Sequence, residues 1–476
     1  MLFCSQSFLL FFTGVFLIYW MLPWARARVY LLLAASFYFY ASWNEWLAGI
    51  ICISSTLDYF VARGIEASPC NSVKRRRLLL CVSIVANLSL LCYFKYINFF
   101  LHSLEETLRA AGMAASLPVL NVMLPIGISF YTFEAINYAV DVYRGHVRAE
   151  RNLANFMLFI LFFPHLVAGP IVRSRDFLPQ IRKPKRWNWE RMQVGAEYFI
   201  MGLVKKLAIA DRMALFADPV FADPGAYRTH VVWLAVIAYA LQIYCDFSGY
   251  TDMAIGCAHM LGYKLAENFN MPYLAVNISG FWRRWHMSLS GWLRDYLFIP
   301  LGGSRGTSWQ TNRNLLITMT LGGLWHGAAW TFVVWGILQA ALLMLHRSFQ
   351  KFKTGRPRLE AALLSPGGTV FSVALTLLCV CLSWIFFRAT TFTAAATCLS
   401  RMLIPSDGLG SPQHASGVVY TLILVALCHA LGQNGLWKKL MLRMPAPVTG
   451  LAYSLAFTFA LLLAPDTSKT FIYFQF

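Results

Sequence analysis

The sequence has very little charge for its length. Charged residues make up 13% of the 476 positions, the hydrophobic share is 58%, and the mean hydropathy is +0.56, values outside the range of an ordinary soluble domain. Apolar stretches long enough to cross about 30 Å of hydrocarbon recur from Phe8 onward, so no stretch is left for a soluble domain. We predict an all-α polytopic membrane protein with one membrane domain over residues 1–476.

Metal-binding patterns are also missing. The eleven cysteines show no Cys-x-x-Cys or Cys/His ligand spacing, and no His-x-x-Glu-His type motif occurs. This weakens metal-assisted chemistry, and we expect buried thiols and no metal site. The first apolar run, Phe8 to Trp24, has neither a preceding basic region nor a small-residue cleavage site, which predicts a retained span rather than a removed signal peptide.

Acidic residues are few, and the net charge is +19. The basic residues cluster between apolar runs, as the positive-inside rule predicts for cytoplasmic loops, so the charge needs no nucleic-acid partner. Such a surface also attracts acidic lipid head groups, at roughly 1 kcal/mol per nearby Lys or Arg. The alternation of basic and other loops places both termini on the opposite side, which is the periplasm if the chain lies in a Gram-negative inner membrane.

Two apolar segments break this alternation, because basic clusters flank both of their ends. They are Leu153 to Pro170, interrupted at Pro164, and Asn314 to His346, interrupted at Gly322-Gly323. Both are predicted to be re-entrant or broken helices. Irregular backbone survives at membrane depth only where protein or a cavity satisfies it, so these breaks indicate an interior site.

Two histidines are candidates for that site. His326 follows the Gly322-Gly323 break directly, and an ionisable group at membrane depth is a functional candidate by default. His286 lies on the apolar face of a predicted interfacial helix from Phe281 to Leu297, which aims it into the protein. Asp246, in an apolar run, is a candidate for orienting a base or holding a helix kink.

The residues alone leave several functions open. A neutral imidazole in a dry cavity can act as general base, which favours acyl transfer to an alcohol. A transporter or flippase whose broken helices and histidines bind substrate fits nearly as well. The histidines can also be structural, in a chain that chiefly scaffolds a periplasmic enzyme.

Further stretches carry a family resemblance over nearly the whole chain. They are Leu124 to Tyr131, Phe163 to Pro170, Asp246 to Asp252, Phe281 to Gly303 and Leu321 to Trp330. On these the chain resembles the membrane-bound O-acyltransferases, in the bacterial branch that acetylates polysaccharides such as alginate and cellulose. The resemblance implies roughly 11 to 13 transmembrane or re-entrant helices around a central funnel.

The resemblance also implies a chemistry. Acetyl-CoA would be the cytoplasmic donor, and a periplasmic partner of the SGNH-hydrolase-like kind, within a polysaccharide synthesis and secretion complex, would receive the acetyl group. The catalytic histidine of the family maps onto His326 and its second functional histidine onto His286, in a positioning or gating role. Trp325 and Asp246 would support them.

Two further expectations follow from the resemblance. Arg283, Arg284 and Arg294 are candidates for pairing with the phosphates of coenzyme A, although positive-inside anchoring explains them equally well. The stretch from Phe471 to Phe476 resembles a tail shared by this branch and by a small accessory peptide of teichoic-acid D-alanylation. Its Tyr473 would relay the acyl group, or else anchor the chain at the membrane interface.

Overall fold

The computed structural model of the chain is helical throughout. It describes every residue except 70, 115, 168, 434, 437, 438, 440–442, 465–470 and 473–476. Within that part of the chain, all regular structure is helix apart from one isolated bridge between Tyr227 and Leu409.

The helices are numbered in chain order. The first eleven are α1 Gln6–Met21, α2 Ala25–Ala41, α3 Glu45–Ala67, α4 Val73–Leu91, α5 Ile97–Ala110, α6 Ile128–Tyr143, α7 Leu153–Leu161, α8 Phe163–Leu166, α9 Ser174–Arg182, α10 Trp189–Leu203 and α11 Asp211–Ala222. The others are α12 Thr229–Met260, α13 Ile278–Trp282, α14 Met287–Leu293, α15 Ser308–His326, α16 Trp330–Lys353, α17 Pro357–Leu364, α18 Pro366–Arg388, α19 Phe392–Leu403, α20 Ala415–Gln433 and α21 Ala446–Leu463. Short π-helical stretches, Cys92–Tyr96, Val204–Ala210 and Arg294–Phe298, follow α4, α10 and α14.

Seven helices of the described chain are long and apolar enough to cross a membrane. They are Glu45–Ala67, Val73–Ala110, Thr229–Met260, Trp330–Lys353, Pro366–Arg388, Ala415–Gln433 and Ala446–Leu463. Two shorter apolar stretches, Gln6–Met21 and Leu153–Leu166, add to them. The predicted all-α multi-pass membrane fold is therefore confirmed, whereas the arrangement of its helices around a funnel stays a prediction.

The chain divides into two compact units. The first comprises Met1–Phe199 with Met253–Ala266, and the second comprises Ile200–Asp252 with Glu267–Phe476. The predicted site residues that the structure describes all fall in the second unit. The prediction of one membrane domain over 1–476 stays a prediction.

In the second unit, α15 and α16 form an antiparallel hairpin. Lys351, near the end of α16, donates a hydrogen bond from Nζ to Oγ of Ser308 at the start of α15 (2.7 Å). Toward the turn, a Cβ on Gly323 would lie 2.3 Å from the backbone oxygen of Phe332, so the two helices touch backbone to backbone. A hairpin has both ends on one side, which accounts for the basic clusters that flank the segment.

The break in this segment lies later than the sequence predicted. Helix α15 runs through Gly322 and Gly323 without interruption and ends at His326, and the break covers residues 327–329. The glycine pair is there for close packing rather than for a bend. The prediction of a broken segment was correct, but its position was wrong by about one turn of helix.

In the first unit, the other interrupted segment breaks at Phe162 rather than at Pro164. Helix α7 ends at Leu161, and Pro164 lies in the first turn of α8. Proline is tolerated there because the first backbone N–H groups of a helix have no partner within the helix. The proline therefore starts the second piece of the segment instead of interrupting it.

Candidate active site

His326 is the last residue of α15, and the glycine after it fixes where it lies. Gly327 is extended, and a Cβ at that position would lie 2.1 Å from the ring of Phe332. Any side chain at 327 would therefore push α16 away from the end of α15. The His326 side chain is buried, with 4% of its surface exposed.

Aromatic rings surround the His326 imidazole. Its ring centroid lies 5.1 Å from that of Trp325, 5.2 Å from that of Trp335 and 5.2 Å from that of Phe387. The interplanar angles are 78°, 89° and 67°, so the contacts are edge-to-face. Such a shell keeps water from the imidazole and holds its orientation, both of which a general base requires.

His286 lies just before α14 in a backbone conformation that side chains rarely adopt. Its φ is +42° and its ψ is +54°, the left-handed region, and its side chain is fully buried. For a bulky residue this conformation costs about 1–3 kcal/mol and persists only where the surroundings enforce it, as they often do at functional sites.

Asn268 determines which nitrogen of His286 carries the proton. The backbone N–H and the hydroxyl of Ser288 donate to Oδ1 of Asn268, at 3.1 and 2.8 Å. A backbone N–H can only donate, so the Asn268 atom facing it is the oxygen. Because Nδ1 of His286 lies 3.2 Å from the same oxygen, Nδ1 must be the protonated nitrogen and Nε2 keeps its lone pair.

The two histidines are neighbours. Their ring centroids are 6.3 Å apart, and the ring of Trp325 lies 6.1 Å from that of His286. Outside the candidate spans, burial lowers the pKa of His286 to about 3, so this imidazole is neutral at physiological pH. The structure thus brings together three predicted site residues, His326, His286 and Trp325, in one dry aromatic environment.

The predicted interfacial helix is not continuous. Helix α13 ends at Trp282, and the left-handed conformation of His286 separates it from α14, which the π-helical stretch Arg294–Phe298 continues. The expectation of one helix from Phe281 to Leu297 was therefore wrong. Its amphipathic pattern was correct in part: of the predicted apolar face, Trp285, Leu289, Trp292 and Leu293 are buried, whereas Trp282, Tyr296 and Leu297 are half-buried.

The three arginines differ in their surroundings. Arg283 is exposed, and Arg294 is exposed but forms an ion pair with its neighbour Asp295 (2.7 Å). Arg284 is half-buried and points a guanidinium nitrogen at the backbone oxygen of Met271 (3.4 Å). Their assignment to coenzyme A phosphates stays a prediction.

Asp246 belongs to a buried charge cluster. Its Oδ1 lies 2.8 Å from Nζ of Lys206, and the same Nζ lies 2.8 Å from Oδ1 of Asp211. Its other oxygen accepts the backbone N–H of Ile472 at 2.7 Å. The predicted relay residue, Tyr473, follows Ile472 in the sequence and lies outside the described residues.

Sequence reasoning missed two buried indole donors, Trp335 next to the His326 ring and Trp384 behind Trp335. Trp335 and Trp384 stack at 5.7 Å, both are buried, and their Nε1–H groups have no acceptor among the described residues. Such donors suit the oxygen of a carbonyl that gains negative charge during acyl transfer. The chain has 16 tryptophans, and that abundance by itself indicates only packing and interfacial anchoring.

The first unit contains a second buried pair that the sequence did not suggest. Nδ1 of His165 lies 3.3 Å from Oε1 of Glu134, which also accepts the backbone N–H of Val172 at 2.9 Å. Nε2 of His165 faces the backbone oxygen of Phe159 at 3.1 Å. These contacts connect helix α6, which contains Glu134, to the broken segment around Pro164. The His165–Glu134 pair therefore has a structural role.

Comparison with known proteins identifies the class to which this site belongs. The sequence profile of MBOAT, the membrane-bound O-acyltransferase family, matches residues 8–354. The chain is 42% identical over 433 residues to "Probable alginate O-acetylase AlgI" of Azotobacter vinelandii, covering 89% of this chain and 83% of that protein. It is 37% identical over 402 residues to a peptidoglycan O-acetyltransferase of Helicobacter pylori, covering 78% and 73%.

A third relative transfers a different acyl group. Identity to a teichoic acid D-alanyltransferase of Bacillus subtilis is 29% over 293 residues, covering 58% of this chain and 71% of that protein. The chain belongs to the membrane-bound O-acyltransferase family. It is an O-acyltransferase of the membrane, which favours acyl transfer over the transporter alternative.

Proposed function

We propose that the chain takes acetyl groups from cytoplasmic acetyl-CoA and passes them across a bacterial inner membrane for O-acetylation of an exopolysaccharide. The proposal is supported by the relatives, which are named for acetylating alginate and peptidoglycan. The polymer is of the alginate or cellulose class, and a periplasmic SGNH-type partner within the synthesis and secretion complex attaches the acetyl group to it.

The pair of buried imidazoles carries this proposal. His326 takes the proton from an attacking hydroxyl while the hydroxyl oxygen bonds to the acetyl carbonyl carbon. The carbon–sulfur bond then breaks, and coenzyme A leaves as a thiol with the proton that His326 returns. The indole N–H groups of Trp335 and Trp384 stabilise the negative charge on the carbonyl oxygen. His286, neutral and held by Asn268, has the positioning role.

The first acceptor is proposed to be the phenol of Tyr473. In that case the acetyl group becomes a tyrosine ester and is then transferred to the partner, which frees the phenol again. On the donor side, Arg283, Arg284 and Arg294 are proposed to face the phosphates of coenzyme A. A Tyr473→Phe variant that keeps full activity and carries no acyl adduct would remove the relay.

The test is donor turnover by the purified full chain. With acetyl-CoA labelled in the acetyl group, His326→Ala should reduce both coenzyme A release and protein-bound label by about 100-fold or more. His429→Ala is the matched control, because His429 is also buried in the second unit but stacks on Tyr273. Unchanged release in His326→Ala, with folding intact, would overturn the role of His326.

The transporter or flippase alternative predicts a different result. Activity would then depend on a proton gradient and would consume no acetyl-CoA, whereas acyl transfer proceeds in detergent without a gradient. A scaffold for a periplasmic enzyme would keep its activity in both histidine variants.

A further inference from the structure

The short segment Phe471–Ile472 is inserted into the second unit. Both side chains are buried, with 0% and 1% of their surface exposed. The Phe471 ring lies 4.2 Å from the ring of Tyr250 and 6.0 Å from that of Phe247, measured between centroids. The backbone N–H of Ile472 donates to Oδ2 of Asp246 at 2.7 Å. Two aromatic rings of α12 and one carboxylate thus hold this segment.

That carboxylate is itself held by a buried lysine. Lys206, with 1% of its side chain exposed, lies 2.8 Å from both Asp246 and Asp211. Its position depends on a close helix contact, because a Cβ on Gly249 would lie 2.7 Å from the backbone oxygen of Gly202 and 3.2 Å from the backbone nitrogen of Lys206. Lys206 also lies in the π-helical stretch Val204–Ala210, a form of helix that occurs frequently at functional sites.

Buried charge of this kind is expensive within an apolar chain. Ionisable groups inside membrane proteins are rare and mostly serve function, since an apolar replacement usually packs as well at lower cost. Here the second carboxylate oxygen of Asp246 accepts from the backbone of a residue 226 positions away. Binding the segment is the interaction that this geometry supports.

The segment is connected to His286 through the ring of Phe247. Phe247 follows Asp246 directly, and its ring lies 4.6 Å from the His286 imidazole at an interplanar angle of 90°. Phe247 therefore contacts Phe471 and His286. If Phe471 were withdrawn, Phe247 would lose a neighbour, and the packing that enforces the left-handed conformation of His286 would loosen.

We propose that Asp246, fixed by Lys206, is a positioning residue that seats Phe471–Ile472, and that the seated segment holds His286 in place through Phe247. This deepens the proposed acyl transfer and rests on it, because the seated segment leads directly into Tyr473. On this proposal the segment is part of the site. When Phe471–Ile472 is seated, it sets the geometry of the histidine pair.

The experiment first measures seating without any reference to activity. A photoreactive p-azidophenylalanine replaces Phe471 in the full-length chain, and its cross-links are mapped by mass spectrometry. Cross-links to the peptide that contains Phe247 and Tyr250 are expected. Asp246→Asn should reduce their yield by about tenfold. Asparagine has one acceptor oxygen, which two donors, Lys206 and the Ile472 N–H, would have to share. One of them therefore loses a hydrogen bond to a charged group.

Asp252→Asn is the matched control. Asp252 lies on the same helix and pairs with Lys205 at 2.5 Å, as Asp246 pairs with Lys206, but within the described part of the chain its side chain makes no hydrogen bond to the segment. The cross-link yield of Asp252→Asn should stay within about twofold of the wild-type yield, because substitutions that do not touch a contact have small effects on it. Equal yields in the two variants would overturn the seating role of Asp246.

The second measurement follows His286 itself. Exchange of the imidazole C2 proton for deuterium, read by mass spectrometry, should accelerate several-fold at His286 in Asp246→Asn and in Phe471→Leu, and not in Asp252→Asn. Phe471→Leu leaves the charge cluster intact, so it answers the question even if Asp246→Asn folds poorly. Unchanged exchange in Phe471→Leu would overturn the coupling through Phe247.

Activity separates this proposal from the proposed function. With labelled acetyl-CoA, Asp246→Asn and Phe471→Leu should lower kcat by about tenfold and leave the donor KM unchanged, since neither touches the donor. If the wild type transfers no acetyl group while the cross-links behave as expected, the proposed function fails and the seating of the segment is supported.

Discussion

The surroundings of His286 set both its tautomer and its charge. Asn268 accepts from Nδ1, which places the lone pair on Nε2, and burial lowers the pKa of the ring to about 3. A histidine in an unfolded chain binds a proton near pH 6.5. The folded protein therefore carries a histidine that acid will protonate only at the expense of stability.

The sign of this effect gives a testable pH dependence. Between pH 6.5 and about 3 the unfolded chain binds more protons at this position than the folded chain, so stability falls as the pH falls below 6.5. At pH 5 the loss is about 2 kcal/mol from this residue. In detergent, the Tm of His286→Gln should fall less between pH 7.5 and pH 5 than the Tm of the wild type.

A change at an exposed histidine provides the control. His102 has 71% of its side chain exposed, and His102→Gln should keep the wild-type pH dependence of Tm. Parallel losses of Tm in the wild type and in His286→Gln would mean that His286 is not the group that acid protonates.

The arginines at the predicted donor side allow a comparison of two exposed charges. Arg294 is already paired with Asp295, whereas no ion pair is found for Arg283 among the described residues. If Arg283 faces a phosphate, Arg283→Ala should raise the KM for acetyl-CoA by about threefold, as expected for an exposed pair, and Arg294→Ala should change it less. The difference in KM between the two variants should shrink at 1 M salt. If both variants had the KM of the wild type, positive-inside anchoring would remain as the explanation for Arg283.

The α15–α16 hairpin positions His326, and its glycines are the weak point. A methyl group on Gly323 would meet the backbone of Phe332 at 2.3 Å, so the helices must separate. Gly323→Ala should cost about 1–3 kcal/mol of stability and lower kcat, measured by thermal unfolding and donor turnover. Gly450→Ala, in α21 with nothing within 4 Å, should be neutral or slightly stabilising. An active, stable Gly323→Ala would show that the helices tolerate separation.

The helices themselves were predictable because membrane spans need long apolar runs, which are a local property of the sequence. The position of the break was not. Gly322-Gly323 indicates flexibility when taken alone, but in the fold Gly322 makes room for Leu293 of α14 and Gly323 for the backbone of α16, and both contacts depend on how separate elements meet. In the same way, the left-handed His286 divides the predicted interfacial helix, and no local pattern marks that conformation.

In the molecule as a whole, the sequence predicted residues that are unusual locally, but it did not predict contacts between distant positions. His286 and His326 were recognisable because an imidazole within apolar sequence is unusual wherever it occurs. The residues next to Asn268 in the sequence give no sign of its role. That role depends on the fold, which brings His286 and Ser288 against its side chain. The contact between Asp246 and Ile472 joins positions 226 apart, so only the folded chain reveals it.

The orientation of the chain decides whether the donor can reach the site. The basic loop between α16 and α17 should be cytoplasmic, and the loop between α19 and α20 should lie on the opposite side, because α18 spans once between them. Exposed positions suited to labelling are Thr354 and Ser411. A membrane-impermeant maleimide should label Ser411→Cys in cells with a permeabilised outer membrane, and Thr354→Cys only after lysis.

The wild type, with its own cysteines, gives the background for this labelling. Both ends of the α15–α16 hairpin should share the side of Thr354, because Ser308 and Lys351 are joined by a hydrogen bond. Ser308→Cys should therefore label like Thr354→Cys. If Thr354→Cys were labelled before lysis, the hairpin would open toward the periplasm. The proposed donor, cytoplasmic acetyl-CoA, would then meet the chain from the side of the 404–414 loop. The proposed donor role of the arginines near α14 would have to be abandoned.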